Sequence, residues 1–295
     1  MPAPILGLAR PNFWRFRLGG FDIIQLHDGA VHMKGPRPPF AIDQTTETVA
    51  AHCAANHLPS DKFENSFTCS MINTGAELIL FDTGNGAARR QAGAGSMLKA
   101  MATAGYKPDQ VDVVVITHCH PDHFLGLMED GKPAFPNART VFGQREFDYW
   151  KKGDDVPDWR VPTRDGFLKV CLPFAERSIF IKEGSTVSPG ITAVEAFGHS
   201  PGLLAFNVES QGQRLFLWAD VTNHHVMSLQ QPRWEVHFDH DKAQAVATRV
   251  RVLDMVSHDK CLAIGFHMPF PAFGYVDKMS HGYRWVPASY QMNFT

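Results

Sequence analysis

The stretch Val111-Asp112-Val113-Val114-Val115-Ile116-Thr117-His118-Cys119-His120-Pro121-Asp122-His123 decides how the rest of the chain is read. Its apolar, β-branched first half reads as a buried strand. Directly after it, three imidazoles and a carboxylate fall within six residues. Buried together, such groups are left unpaired unless something positive lies between them. His118 and His120 alternate on extended backbone, so both point to one side. Pro121 ends the strand, and Asp122 and His123 start the next element with a different aim. One divalent ion is expected at His118 and His120, and a second at Asp122 and His123. Zinc suits such ligands. Each ion then lacks ligands, so the pattern predicts further His and Asp residues at the ends of other strands.

Three occur. His199 follows a strand in "EAFGHSPG", Asp220 ends "LFLWAD", and His267 ends "LAIGFH". A lone strand-end histidine is usually a solvated residue; the set as a whole is what calls for metal. The simplest assignment gives His118, His120 and His199 to one ion and Asp122, His123 and His267 to the other, with Asp220 bridging. The cofactors expected are two divalent ions, zinc first, with manganese, cobalt or ferrous iron as alternatives. Two close cations lower the pKa of a shared water toward neutrality, which supplies a hydroxide for attack on a carbonyl or phosphorus. Asp122 is the expected catalytic residue, helping to move the proton. No Ser, Cys or Lys nucleophile is required. Cys119 lies between two ligands and, by alternation, points into the packing.

The 295 residues form one expected unit, residues 1–15 being an N-terminal extension. A net charge of -2 with no basic stripe gives no case for nucleic acid. No apolar run reaches the length of a membrane span, and no signal peptide is read at the N-terminus. Fifteen histidines contrast with five scattered cysteines that contain no CxxC pair. That suits a reduced, cytoplasmic setting.

Hairpins are predicted at Gly19-Gly20, at Asn73-Thr74-Gly75 and at Gln211-Gly212. Helices are predicted over "GSMLKAMATAG", with Ser96 as cap, over "DHFLGLMED" and over "QREFDYWKK". The clearest helix is "DKAQAVATRVRVLDMVSH", capped by Asp241 with Val246, Val250 and Leu253 on its buried stripe. Strands in both halves with helices between them suggest an α/β protein with two sheets sandwiched by helices.

HxHxDH, then Gly-His-Ser-Pro-Gly, a strand-terminal Asp and a strand-terminal His resemble the metallo-β-lactamase superfamily in order and spacing. The resemblance implies a four-layer αββα sandwich with the metals at one edge of the sheets. It makes Asp82 of "FDTG" a buried residue supporting the ligands. His120, where the di-iron flavoprotein branch has Glu, favours hydrolysis. "EVHFDHDKAQAVATR", "GFHMPFPAFGYV" and "GYRWVPASY" are similar to the branch containing methyl parathion hydrolase, lactonases and arylesterases. The likeness runs from about Phe16 to about Pro287, judged by motif order. It implies a homodimer and places Trp150 near the substrate pocket. Leu203 and Ala219 depart from the pattern, as His and Gly are usual there; both read as small changes.

Phe167, Phe174 and the rim residue His224 complete the expected substrate pocket. An apolar pocket suits a small-molecule lactone, aryl ester or neutral phosphotriester. The alternatives are a β-lactamase or a thioesterase of the glyoxalase II kind. Outside hydrolysis, they are a metal-binding protein without activity and a mononuclear-iron redox protein.

Overall fold

The computed structural model describes residues 2–7 and 9–289. Met1 and Leu8 of the extension and Tyr290 of "GYRWVPASY" lie outside the described residues.

The first sheet is built from β1 (Phe13–Leu18), β2 (Phe21–Lys34), β3 (Lys62–Asn73), β4 (Leu78–Phe81) and β5 (Val113–Ile116). A two-stranded ribbon, β6 (Met128–Glu129) and β7 (Lys132–Pro133), interrupts the chain before β8 (Arg139–Gly143) and β9 (Ser178–Ile181) complete that sheet. Its order is β1-β2-β3-β4-β5-β8-β9, antiparallel as far as β4 and parallel beyond. The second sheet runs in chain order: β10 (Thr186–Ser188), β11 (Ile191–Glu195), β12 (Leu204–Ser210), β13 (Gln213–Leu217), β14 (Leu262–Ile264), β15 (Phe273–Lys278) and β16 (Tyr283–Pro287).

The helices are α1 (Thr46–Ala55), α2 (Met97–Thr103), α3 (Pro121–Phe124), α4 (Gln144–Lys152), α5 (Val161–Val170), α6 (Met227–Gln230) and α7 (Lys242–Asp259). All three expected hairpins form, and Asp241 caps α7 by accepting the Gln244 N–H at 2.9 Å.

β5 shows why the sheets are layered. Val113 and Val115 join the core shared with the second sheet, whereas Val114 and Ile116 join the core beneath α2, α4 and α5. A strand with both faces covered must be apolar throughout, and this one is. Between the sheets, Phe81 meets Phe206 edge-on with centroids 4.9 Å apart. On the far side, Val252, Leu253 and Val256 of α7 close the second sheet. The four layers are helices, sheet, sheet, helices.

Two helix expectations need correction. The helix after the cluster is a single turn, α3, followed by a 3-10 turn at Leu125–Leu127. Gly126 lies so close to the Thr83 carbonyl that a Cβ would collide with it. The loop after β4 thus sets the path of this segment. In α7 the buried residues are Ala245, Thr248, Arg249, Val252, Leu253 and Val256. Val246 and Val250 are only partly covered. The face is turned because Arg249, fully buried, is drawn inward by a carboxylate described below.

Candidate metal centre

β4, β5, β11, β13 and β14 all end at one edge of the sandwich, and the loops leaving them carry the predicted residues. The two sheets are stitched there by Leu204 N–H donating to the Thr117 carbonyl at 3.0 Å and Thr68 N–H donating to the Phe266 carbonyl at 3.0 Å.

Four side-chain atoms meet in a first group. His118 Nε2 and His199 Nε2 each lie 3.0 Å from His120 Nδ1. Asp220 Oδ2 lies 3.3 Å from His199 Nε2 and 3.8 Å from His118 Nε2. A tetrahedral zinc with bonds of about 2.0–2.1 Å spaces its ligand atoms by about 3.3 Å, so these separations fit one ion. In a second group, Asp122 Oδ2 is 3.4 Å from His267 Nε2 and 3.8 Å from His123 Nε2. Asp220 touches this group too, with Oδ1 3.4 Å from His123 Nε2 and Oδ2 3.1 Å from His267 Nε2. The seven side chains fall into two groups, with Asp220 touching both.

Two observations call for cations. Among the described residues, His123 Nε2 and Asp220 Oδ1 are buried with no hydrogen-bond partner, a state that a metal bond explains. Protonation tells the same story. Burial pushes His118 and His120 well below the ordinary imidazole pKa. Burial also opposes charge on His123 and His267, yet Asp220 and Asp122 outweigh it. His123 is held well above its ordinary value and His267 at about 10. Burial tends to raise Asp122, but His123 and His267 bring it down to about 2. In the protein alone, protons supply the positive charge that the carboxylates demand.

The outer nitrogens of four histidines of the cluster are anchored, which fixes ring orientation and which nitrogen is free to bind. His118 Nδ1 pairs with Thr117 Oγ1 at 3.1 Å, His123 Nδ1 with Asp82 Oδ2 at 2.8 Å and His199 Nδ1 with Asp239 Oδ1 at 2.9 Å. His267 Nδ1 lies 2.9 Å from the Ser66 carbonyl, to which it must donate. Asp82 also accepts the Thr117 N–H and hydroxyl, each at 2.9 Å. It sits in the left-handed region at φ 60°. In the following turn Gly84, at φ 74°, leaves room for the carboxylate of Asp28, which accepts the N–H groups of Asn85 and Met97.

The sequence reading missed two supports. Asp239 is fully buried, and its second oxygen accepts from Arg249 at 2.7 Å. Glu146 accepts the Cys119 N–H at 2.7 Å, the Ser200 hydroxyl at 2.5 Å, the Gly202 N–H at 2.8 Å and Trp150 Nε1–H at 2.7 Å. It ties the loop of His118 and His120 to the loop of His199. Both acids sit in stretches singled out for other reasons, "HFDHD" and "REFDYW". Only their fully buried charge marks them.

The expected substrate pocket also needs correction. A cavity of about 210 Å³ opens over the cluster, lined by Phe40, Phe67, Phe238 and Arg160 among others. A second of about 460 Å³ adjoins it through Asn65, Asn223 and His267. Trp150, Phe167 and Phe174 line neither. They are buried beneath the first sheet because α4, α5 and the 3-10 turn at Leu172–Arg177 direct these side chains into its core. Trp150 reaches the site only as a packing neighbour of His120, 6.1 Å between centroids. His224 lines the larger cavity, its Nδ1 accepting the Val226 and Met227 N–H groups. Cys119 is buried in the outer core, as alternation requires. Ala219 is not a small change from glycine, since it adopts φ 50°.

Among solved structures, AidC, a dizinc quorum-quenching lactonase in complex with its product, is 24% identical with a TM-score of 0.87, covering 94% of this chain and 97% of that one. The hydrolase AbOPH of the beta lactamase superfamily is 25% identical with a TM-score of 0.87, covering 95% and 98%. A probable metal-dependent hydrolase from Staphylococcus aureus is 20% identical with a TM-score of 0.72, covering 85% and 91%. Ribonuclease Z of Pyrococcus furiosus is 39% identical over 56 residues, which span 19% of this chain and only 15% of that protein's length. The sequence pattern described as the Metallo-beta-lactamase superfamily matches residues 68–229, more than half of the chain and including His118 to Asp220. A buried His/Asp cluster suited to divalent metal, on this fold, marks a metal-dependent hydrolase. The chain belongs to the metallo-β-lactamase superfamily.

Proposed function

We propose that the protein hydrolyses lactones or aryl esters at a two-metal centre, most simply with zinc, in the branch that contains methyl parathion hydrolase. Organophosphate triesters are the secondary substrates of this reading. The observation that carries it is Asp220, whose two oxygens face both ligand groups while Oδ1 and His123 Nε2, 3.4 Å apart, make no hydrogen bond among the described residues. Bound cations would supply an ionised water and a positive charge for the oxygen that gains electrons.

The chain's own residues supply the rest. The Asp122 side chain is 19% exposed while that of Asp220 is 3% exposed, so Asp122 opens toward the cavity. Held at about 2, it is ionised at neutral pH and starts as a proton acceptor. It can take a proton from the attacking water and pass it to the leaving oxygen. Phe63, Leu58, Pro36 and Phe270 give the larger cavity an apolar lining for an acyl or aryl arm. The likenesses to a lactonase and to AbOPH support the reading.

Metal analysis and a five-substrate panel test it: a lactone, a 4-nitrophenyl ester, a paraoxon-type triester, a cephalosporin and a glutathione thioester. Two metals per chain with the lactone or ester leading is the expected result. A leading cephalosporin or thioester would overturn it, and so would one iron per chain without hydrolysis.

We further propose a cytoplasmic homodimer. All five cysteines are free and buried, and Ile5 and Leu6 of the N-terminal arm are 99% and 90% exposed. Light scattering on the full chain checks the mass. Among the described residues, no helix is long and apolar enough to cross a membrane.

A further inference from the structure

Two arginines are buried near the metal cluster, and their surroundings differ. Arg249 is fully buried and satisfied: its guanidinium donates to the Val221, Pro232 and Trp234 carbonyls and pairs with Asp239. Arg160 is 8% exposed, and among the described residues its guanidinium makes one hydrogen bond, from Nη2 to the Phe238 carbonyl at 2.5 Å. It lies over the Trp159 ring at 4.3 Å. Among the described residues no carboxylate lies within 4.0 Å of it. It lines the cavity over the cluster together with Thr163, Asn65 and Asn223. Burying an ion without a partner is costly, so a buried guanidinium left open toward a cavity marks a place for an anion.

The surrounding acids do not fill that role. Asp122 and Asp220 belong to the metal cluster, Glu146 is engaged by four donors, and Asp239 by His199 and Arg249. With divalent cations on the cluster, the charges of Asp122 and Asp220 are spent there. Arg89, exposed at the rim of the same cavity, has no ion pair among the described residues either. Burial brings Arg160 down to about 10, which leaves it charged at neutral pH.

Resting on the hydrolase reading above, we propose that the substrate carries, beside its scissile ester, a fixed oxyanion group that Arg160 binds in the smaller cavity. A carboxylate and a phosphoryl oxygen share the chemistry, since either accepts two parallel N–H bonds from a guanidinium. The donor-rich cavity of about 210 Å³ takes the anionic head. The apolar cavity of about 460 Å³ takes the arm on the other side of the reacting bond. Arg160 is thus a specificity residue for the charged group of the substrate.

The test uses the metal-loaded full chain with Arg160→Met and Arg160→Lys. Two 4-nitrophenyl esters serve as probes, neutral 4-nitrophenyl butyrate and anionic mono-4-nitrophenyl succinate. The wild type should prefer the anionic ester. Arg160→Met should raise the KM of the anionic ester at least tenfold, and that of the neutral ester by much less, with metal content unchanged. Arg160→Lys, which keeps the charge, should recover part of the loss. Preference for the neutral ester, or an equal fall for both, would overturn the proposal; an equal fall would mean that Arg160 serves the reaction's own charge. Calorimetric titration with glutarate and with inorganic phosphate judges the anion site without turnover and separates the two sources. Whichever anion fits should bind at least tenfold more weakly to Arg160→Met, and equal affinity of both proteins for both anions sinks the idea. If neither ester nor any member of the five-substrate panel is hydrolysed, the hydrolase reading fails while the calorimetry still decides the anion site.

Discussion

Asp239 links His199 to Arg249, one oxygen 2.9 Å from the imidazole Nδ1 and the other 2.7 Å from the guanidinium. The backbone holds this link in place, because His240 N–H donates to the His199 carbonyl at 3.1 Å and Asp241 N–H to the Gly198 carbonyl at 2.9 Å. His199 is therefore oriented by a carboxylate that a buried arginine holds. Asp239→Asn keeps the shape but loses the charge, and metal affinity should fall about 10–100-fold. Chelator competition measures it, and an unchanged affinity would remove Asp239 from the support of the site. Asp239→Ala should also cost about 3–5 kcal/mol, because Arg249 is left charged and unpaired.

Asp220 and Asp122 should differ in metal count. Asp220→Asn removes the oxygen shared by both groups and should empty both. Asp122→Asn should spare the group of His118, His120 and His199 and leave about one metal per chain, with kcat down about 10²–10⁴-fold if its proton role is real. Chelation should abolish hydrolysis. Restoring zinc to a hundredfold excess over Kd should return activity and add about 2.7 kcal/mol of stability. Metal analysis with thermal melts follows all three, and full occupancy in Asp220→Asn would contradict the bridge.

Ala219 occupies the left-handed region at φ 50° directly before Asp220. That conformation costs an L-residue about 1–2 kcal/mol, and glycine's extra chain entropy costs about 0.5–1 kcal/mol. Ala219→Gly should therefore stabilise the fold by roughly 0.5–1 kcal/mol by the same two terms, measured by denaturant unfolding. A loss would show that the methyl group packs usefully.

His224 and His225 stack with centroids 5.0 Å apart, and burial holds them near 3 and 4. Both lie below the unfolded value of about 6.5, so the unfolded chain takes up protons first. Their contribution is complete above that value and is lost as pH falls from about 6.5 toward 4, by about 1.4 kcal/mol per pH unit for each ring. His225→Gln should reduce the slope between pH 6.5 and 4.5 relative to wild type, both measured metal-free. Parallel slopes would mean that His225 is protonated in the fold as readily as outside it.

The sequence by itself determined whatever depends on neighbours along the chain. Hairpins formed at Gly19-Gly20 and Gln211-Gly212 because turn chemistry is local, and Asp241 capped α7 because a side chain three residues from its partner needs no tertiary help. The cluster of His118, His120, Asp122 and His123 was legible for the same reason. His199, Asp220 and His267 could be found because a strand's end is a place the sequence marks.

Only the tertiary structure decided which side chains answer one another across the two sheets. Trp150, Phe167 and Phe174 are large apolar residues with no sequence mark to tell pocket from core, and the seating of α4, α5 and the 3-10 turn after α5 made them core. Arg249 displaced Val246 and Val250 from the buried face of α7 because an ion pair with Asp239 exists only once α7 lies against the loop of His199. Arg160, distant in sequence from every ligand, became a wall of the metal cavity through its contact with the Phe238 carbonyl. Spacing along the chain can announce a ligand. A partner reached through space is settled only when the layers close.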